Sequence, residues 1–326
     1  MRAIVIDQPG TEDAMRVGEV PAPALGAGEL RIRVAAAAVN RADLLQRQGL
    51  YPPPPGASPI LGLECAGTVA EVGAGVTGWR VGERAMALLA GGGYAEQVVV
   101  PAVCAMKVPA RLSLDMAAAV PEVFLTVFLN VFQLGALPVS GWALVHGGGS
   151  GIGTAAIQLV KVSGGHILVT AGSEKKCRQC RELGADVAVN YRTHDFAAEA
   201  KAATGGKGVD VVLDSIGAQY LAKNLSSLAV GGRLILIGLM GGAKAEIGLG
   251  ELLLRRLSLI GSTLRTRPTA EKGALVAAFL TRFGAALEDG RLRPIVDRVL
   301  PLVEAPAAHR AMKASEHFGK IVLSMA

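Results

Sequence analysis

Aromatic residues make up 4% of this 326-residue chain, and cysteine occurs only four times. So few cysteines exclude a disulfide-built scaffold. Cys65 and Cys104 stand alone and read as small buried residues. Cys177 and Cys180 form a C-x-x-C, but inside a charged helical run (EKKCRQCREL) and without a second pair to complete a tetrahedral metal site. Long apolar runs are lacking too: each is broken by Gly, Asn or Gln short of the ~20 residues of a membrane span. The opening MRAIVIDQPG alternates like a strand and has no apolar core of a secretory signal, so a cytoplasmic protein with no membrane partner is expected. The net charge of +6 comes from 33 basic and 27 acidic residues. Its denser groups (Lys175, Lys176, Arg178 and Arg181; Arg255 and Arg256) lack interleaved aromatics, so a nucleic-acid partner is not expected either.

Glycine is what the chain has in quantity: 42 residues, beside 16 prolines and a 51% hydrophobic content. That is an α/β composition rich in turns, and the length suits two domains. Residues 1 to about 118 read as short strands punctuated by Gly and Pro, such as 30–39, 67–72 and 96–100, with one clear helix at 41–48. From about residue 119 strands and helices alternate. Strands are expected at 143–146, 166–170, 187–190, 210–214, 233–238 and 257–261, with helices at 154–162, 174–183 and 218–228 between them. Gly164 and Gly184 fall where helix C-caps belong. Such an alternation predicts a doubly wound parallel sheet. The tail, with a long helix over 269–287 and two late strands, is too small to stand alone and is expected to fold back onto the first domain.

The run WALVHGGGSGIGTAAIQLVK, residues 142–161, is the most informative segment. An apolar strand enters a glycine-packed turn that opens directly into a small-residue helix. Glycines at 147, 148, 149, 151 and 153 let a pyrophosphate approach the backbone, and the helix start offers it orphan N–H groups and partial positive charge. In G-x-G-x-x-G register from Gly148, Ser150 replaces the middle glycine.

End to end, the chain resembles the zinc-free medium-chain dehydrogenase/reductases of the zeta-crystallin and quinone oxidoreductase group. The resemblance is carried by GLECAGTVAEVGAGVTGWRVGERAMAL (62–88), in which Glu64, Gly67, Val69, Val72, Gly73, Val76 and Gly82 fall at the spacing of the group's first-domain signature. NRADLLQRQGLYPPPPGAS (40–58), TAAIQL (154–159), GLMGG (238–242) and GKIVL (319–323) are most similar to its tumour-suppressor-inducible quinone oxidoreductase branch, where Ser150 is typical. The resemblance implies a GroES-like β-rich catalytic domain (1–120 and 265–326), a Rossmann NADP-binding domain (121–264), NADPH as cofactor and a quinone as acceptor. Zinc-dependent relatives have Cys where Asn40 stands, His where Leu63 stands, and a four-cysteine loop near 86–100. The amide and leucine cannot take over as Zn²⁺ ligands, so no metal is expected. Without a Lewis acid, reduction of an electrophilic acceptor is easier than oxidation of an alcohol.

Tyr51 and Ser150 are the candidate catalytic residues, as polar contacts to the acceptor oxygens. Tyr51 could equally pack on Pro52–Pro55, and Ser150 could cap the following helix. The resemblance assigns the cofactor to Gly148, Gly149, Ser150, Gly151, Ile152 and Gly153. Counting roughly 20 positions past the glycines reaches Ser173, where an acid would favour NAD. Ser173 followed by Lys176 suits a 2′-phosphate. The resemblance adds Gly172 and Tyr191 there, while Glu174, one residue on, points the other way. Asn40, Thr126, Ser215, Leu239, Met240, Gly241, Thr263, Leu264, Arg265 and Lys320 are further cofactor positions by resemblance. It also implies a homodimer paired through the Rossmann sheet edge at 257–261. Two other functions stay open: an NADPH-dependent reductase of α,β-unsaturated carbonyls, and an NADPH-binding structural or RNA-binding protein.

Overall fold

The computed structural model describes residues 1–325, which divide into two compact units, 1–125 with 264–325 and 126–263. The second unit is built on a six-stranded parallel sheet. Its spatial order is Val187–Asn190, His166–Ala171, Trp142–His146, Val209–Asp214, Leu228–Leu236, Ser258–Gly261. The three central strands are sealed on both faces: Ala143–Val145, Ile167–Val169 and Val211–Leu213 are at most 1% exposed. Burial on both faces is why they read as unbroken apolar runs rather than alternating ones. The strand order reverses between Trp142–His146 and Val209–Asp214, so the carboxyl ends of these two strands flank a topological switch point, where open α/β sheets bind ligands.

Two expected elements differ. The strand read at 233–238 spans Leu228–Leu236, because its pairing with the neighbouring strand is interrupted between Val209↔Leu228 and Val211↔Arg233. That irregularity, with Gly231 at φ +79°, hides the strand's first part from a period-two pattern. The helix read at 218–228 is a 3₁₀ turn, Ala218–Tyr220, followed by an α-helix, Leu221–Ser227. Gly164 and Gly184 do close helices, at φ +75° and +115°.

The first unit holds a seven-stranded sheet and a separate hairpin, Arg2–Ile6 with Met15–Glu19. In the sheet, Lys320–Ser324 lies between Val296–Pro301 and Glu29–Ala38, followed by Glu64–Val72, Arg84–Leu88 and Ala105–Lys107; Gln97–Pro101 pairs with Glu29–Ala38 as well. The helix Thr269–Glu288 buries Leu275, Val276, Phe279, Phe283 and Leu287, a helical spacing that keeps one face inside. Leu114–Leu134 is long and apolar enough to cross a membrane, yet 83% of its apolar window is buried within the protein. It consists of the α-helices Leu114–Ala117 and Pro121–Val127 and a π-helix, Phe128–Leu134, the last lying in the second unit.

Candidate cofactor cradle and a buried polar cluster

In the second unit the glycine turn follows strand Trp142–His146, and Ser150 is the N-cap of helix Gly151–Val162, its Oγ accepting from Gly153 N at 3.0 Å. Among the described residues the N–H groups of Gly151 and Ile152 have no protein acceptor, which leaves an anion-binding helix start. A Cβ on Gly153 would lie 2.4 Å from Gly147 O and 2.5 Å from Gly148 Cα. Only glycine lets the helix pack this closely on the loop. Gly148 is pinned from the other side, where a Cβ would come within 2.7 Å of Val169 and 2.9 Å of Cys180 Sγ. The C-x-x-C therefore serves packing: both thiols are fully buried, and burial pushes Cys180 up to about 12.

A buried network underlies this loop. Asp214 accepts from Ile216 N (2.6 Å), Gly217 N (3.1 Å) and Asn224 Nδ2 (3.0 Å). Asn224 Oδ1 thus faces His146 Nε2 at 2.7 Å, which makes Nε2 the donor and Nδ1 the acceptor from Thr170 Oγ1 at 3.1 Å. Thr170 Oγ1 in turn accepts from Gly147 N at 3.3 Å. Burial lowers His146 to about 4, so the imidazole is neutral. The turn at Ser215 is bridged to the next loop by Met240 N on Ser215 O (3.1 Å) and Gly241 N on Ile216 O (2.7 Å), with Leu239 and Met240 more than half exposed. Ser215, Leu239, Met240 and Gly241 are thereby brought together.

Gly172, Ser173, Lys176 and Tyr191 converge as well. Ser173 caps helix Glu174–Glu182 through Lys176 N (3.3 Å), and a Cβ on Gly172 would lie 2.9 Å from the Tyr191 hydroxyl oxygen. Glu174, the competing acid, accepts from Asn190 Nδ2 through Oε1 at 2.9 Å. Thr126 is buried, with its carbonyl holding Asn130 Nδ2 at 2.8 Å, and Thr263 ends this unit. These cradles fit a phosphorylated dinucleotide: clearance for its pyrophosphate at the helix start, and the Ser173 hydroxyl and Tyr191 phenol at the end of the second strand.

In the first unit two of the expected cofactor residues are held in a buried polar cluster. Arg265 is 4% exposed and its guanidinium is engaged inside the unit, with Nε on Ala90 O (2.8 Å), Nη1 on Tyr51 O (3.3 Å) and Nη2 on Gln46 Oε1 (2.6 Å). It lies 5.3 Å from the Tyr51 ring centre, so three of its five N–H donors and its flat face hold the Tyr51 loop and its neighbours, and the adjoining Leu264 is buried. Burial, opposed by this cation, raises the Tyr51 phenol above its ordinary value. Lys320 is held within the unit as well. Its three ammonium protons are satisfied by Val39 O (2.8 Å), Asn40 Oδ1 (2.7 Å) and Glu64 Oε1 (2.8 Å), leaving none for a cofactor. Asn40 is held on its other side by Nδ2 donating to Glu64 Oε1 at 3.0 Å and to Ala38 O at 3.2 Å.

Residues not singled out from the sequence complete this cluster. Asp43, fully buried, accepts from Asn40 N (2.8 Å), Gly62 N (3.1 Å) and Tyr94 Oη (3.2 Å), and burial pushes its carboxyl up to about 6. Tyr94 Oη also meets His309 Nε2 at 3.2 Å, and Arg47 meets His309 Nδ1 at 3.3 Å. Because Arg47 can only donate, Nδ1 accepts and Nε2 carries the proton. The legible signal was a polar residue closing an apolar stretch, as His146 does in ALVH, Asp214 in VVLD and Glu64 in ILGLE.

Comparison with known proteins agrees with this geometry. A model of the alcohol dehydrogenase GroES-like domain matches residues 26–110, and one of the zinc-binding dehydrogenases matches 151–280. The chain is 34% identical over 331 residues to a 2-haloacrylate reductase from a Burkholderia species, covering 98% of each. It is 33% identical over 327 residues to a mycocerosic acid synthase-like polyketide synthase of Mycolicibacterium smegmatis, but spans only 15% of that protein. Among solved structures, an Escherichia coli quinone oxidoreductase complexed with NADPH superposes with a TM-score of 0.86 at 28% identity, covering 99% of this chain and 100% of that one.

Proposed function

The chain belongs to the medium-chain dehydrogenase/reductase family, and from that premise we propose that this NADPH-dependent oxidoreductase reduces a quinone without a metal. One observation supports the cofactor assignment: Gly172 and Tyr191 lie together beside Ser173, which caps the helix that carries Lys176, while Asn190 engages one oxygen of the competing acid, Glu174. The Lys176 ammonium and two hydroxyls suit a 2′-phosphate, where an NAD site would present a carboxylate to a ribose hydroxyl. NADPH, when bound, supplies the hydride. The helix start at Gly151 and Ile152 receives the pyrophosphate, and the network from Asp214 to Thr170 holds the loops on either side of the switch point. Tyr51, positioned by Arg265, donates a hydrogen bond to an acceptor oxygen, and Ser150 does the same while its oxygen caps the helix.

A second reading is favoured by the 2-haloacrylate reductase and by the polyketide synthase relative: an activated alkene as acceptor. Both readings need the same hydride donor, so turnover measured side by side with an ortho-quinone and an enone separates them. Tyr51→Phe and Ser150→Ala are expected to lower quinone turnover about tenfold or more with NADPH affinity unchanged. Unchanged turnover in both removes these residues from the mechanism.

We further propose a homodimer through the edge strand Ser258–Gly261. Leu259 is 40% exposed there, and helix Leu249–Arg255 just before it exposes Leu249, Leu253 and Leu254 by 71%, 78% and 81%. A bare strand edge beside exposed leucines calls for cover. A dimer by light scattering that dissociates in Leu253→Lys is the expected result; a monomer at all concentrations refutes it.

A further inference from the structure

The reduction proposed above consumes a proton with each hydride, and Tyr51 is a poor source of it, since burial makes its phenol harder to ionise. Glu122 is a half-buried acid whose carboxyl no other described residue of the unit engages. It sits in the first turn of helix Pro121–Val127, with its backbone N–H donating to Glu64 Oε2 at 2.9 Å. Its side chain is partly open at the surface. Among the described residues, its carboxyl accepts no hydrogen bond and forms no ion pair.

That isolation is unusual for an acid in this setting, because three cations lie in its field. Each has partners elsewhere. Lys320 is held by Glu64, Asn40 and Val39, Lys272 donates to Arg265 O at 2.6 Å, and the Arg265 guanidinium is held by Ala90, Tyr51 and Gln46. The remaining charged neighbours, Glu64 and Asp43, are acids. Burial first, and then the Glu64 charge, raise Glu122 to about 8, with Asp43 adding to the shift and Lys320 and Lys272 opposing it. Its charge is felt by Tyr51 and by Arg265 in return. A carboxyl kept in its acid form, unpartnered and in electrostatic contact with the Tyr51 loop, has the properties of a general acid rather than of a structural anchor.

We propose that Glu122 is a catalytic residue whose carboxyl delivers the proton taken up by the acceptor. The acceptor gains two electrons with the hydride and is reduced, while NADPH is oxidised to NADP⁺. The Glu122 O–H bond breaks, its electron pair stays on the carboxylate, and the proton forms an O–H bond on a quinone oxygen or a C–H bond at the α-carbon of an enone. Water then returns one proton to the carboxylate. The balance is one NADPH and one H⁺ per acceptor.

The experiment has two arms, one of which does not depend on turnover. Infrared difference spectra between wild type and Glu122→Gln are expected to show a protonated-carboxyl band at about pH 6 that is gone at about pH 9.5. Its absence at the lower pH overturns the proposal whatever the acceptor. In steady state, Glu122→Gln is expected to lower kcat about 100-fold and to remove the loss of rate above about pH 8, with the NADPH Kd within twofold of wild type. Glu122→Ala is expected to recover part of its rate with added formate, which an acid of purely structural value would not allow. A kcat within twofold of wild type, an alkaline limb that persists in Glu122→Gln, or a rise in Kd that accounts for the whole loss overturns it. If the wild type binds NADPH and shows the band but reduces neither acceptor, the functional reading fails instead.

Discussion

Removing the ammonium of Lys320 is the sharpest test of the buried cluster in the first unit. Lys320 and Glu64 are 2.8 Å apart, with side chains 3% and 0% exposed, so neither charge has water to fall back on. Lys320→Met keeps the length of the stem and deletes the charge. Glu64 then keeps only the N–H groups of Asn40 and Glu122, and Asn40 Oδ1 and Val39 O lose their donor. Breaking one side of such a pair costs about 3–5 kcal/mol. At roughly 2–4 °C per kcal/mol for a unit of this size, Tm should fall by about 6–20 °C. Removing both charges in Lys320→Met/Glu64→Gln leaves no uncompensated ion, so the double variant should recover a large part of that loss. Differential scanning calorimetry on the wild type, Lys320→Met, Glu64→Gln and the double variant, with urea unfolding as a check, measures both effects. A single variant within about 1 kcal/mol of wild type, or losses that simply add, would refute the buried-pair argument.

Three shorter predictions concern the cofactor unit. Lys176→Glu should raise the NADPH KM at least tenfold and leave NADH kinetics little changed; parallel losses with both cofactors would show that the corner does not read the 2′-phosphate. Gly153→Ala puts a methyl group 2.4 Å from Gly147 O, with backbone on every near side, so NADPH binding by fluorescence titration should be lost or weakened by at least 10-fold. Thr170→Val keeps the shape but strips the acceptor from Gly147 N–H and the donor from His146 Nδ1; a loss of about 1–3 kcal/mol is expected in urea unfolding, and an unchanged midpoint counts against the network.

How legible this was from sequence differs from element to element. The parallel sheet could be read because strands such as Ala143–His146 and Val209–Asp214 are buried on both faces and flanked by glycine turns, and the cradle could be read because Gly153 has no substitute there. Leu114–Leu134 had no readable face, since a helix buried all round shows no amphipathic period. Lys320 and Arg265 are cofactor positions by resemblance alone, and their place in a buried polar cluster is not legible in the sequence. Their partners are remote in the chain, Glu64 and Asn40 for the first and Gln46 and Ala90 for the second, and only the folded sheet joins them. Glu122 was invisible for a related reason: an acid just after a proline reads as an ordinary helix start, and only its surroundings make it unusual.

The position of the strand Lys320–Ser324 between Val296–Pro301 and Glu29–Ala38 has a consequence for biosynthesis. The second unit is one continuous segment and can close as soon as residue 263 is made. The first unit must keep Glu29–Ala38 half-paired and the Glu64 carboxylate without its counter-ion until the ribosome has added roughly 250 further residues, so on the nascent chain this unit matures last.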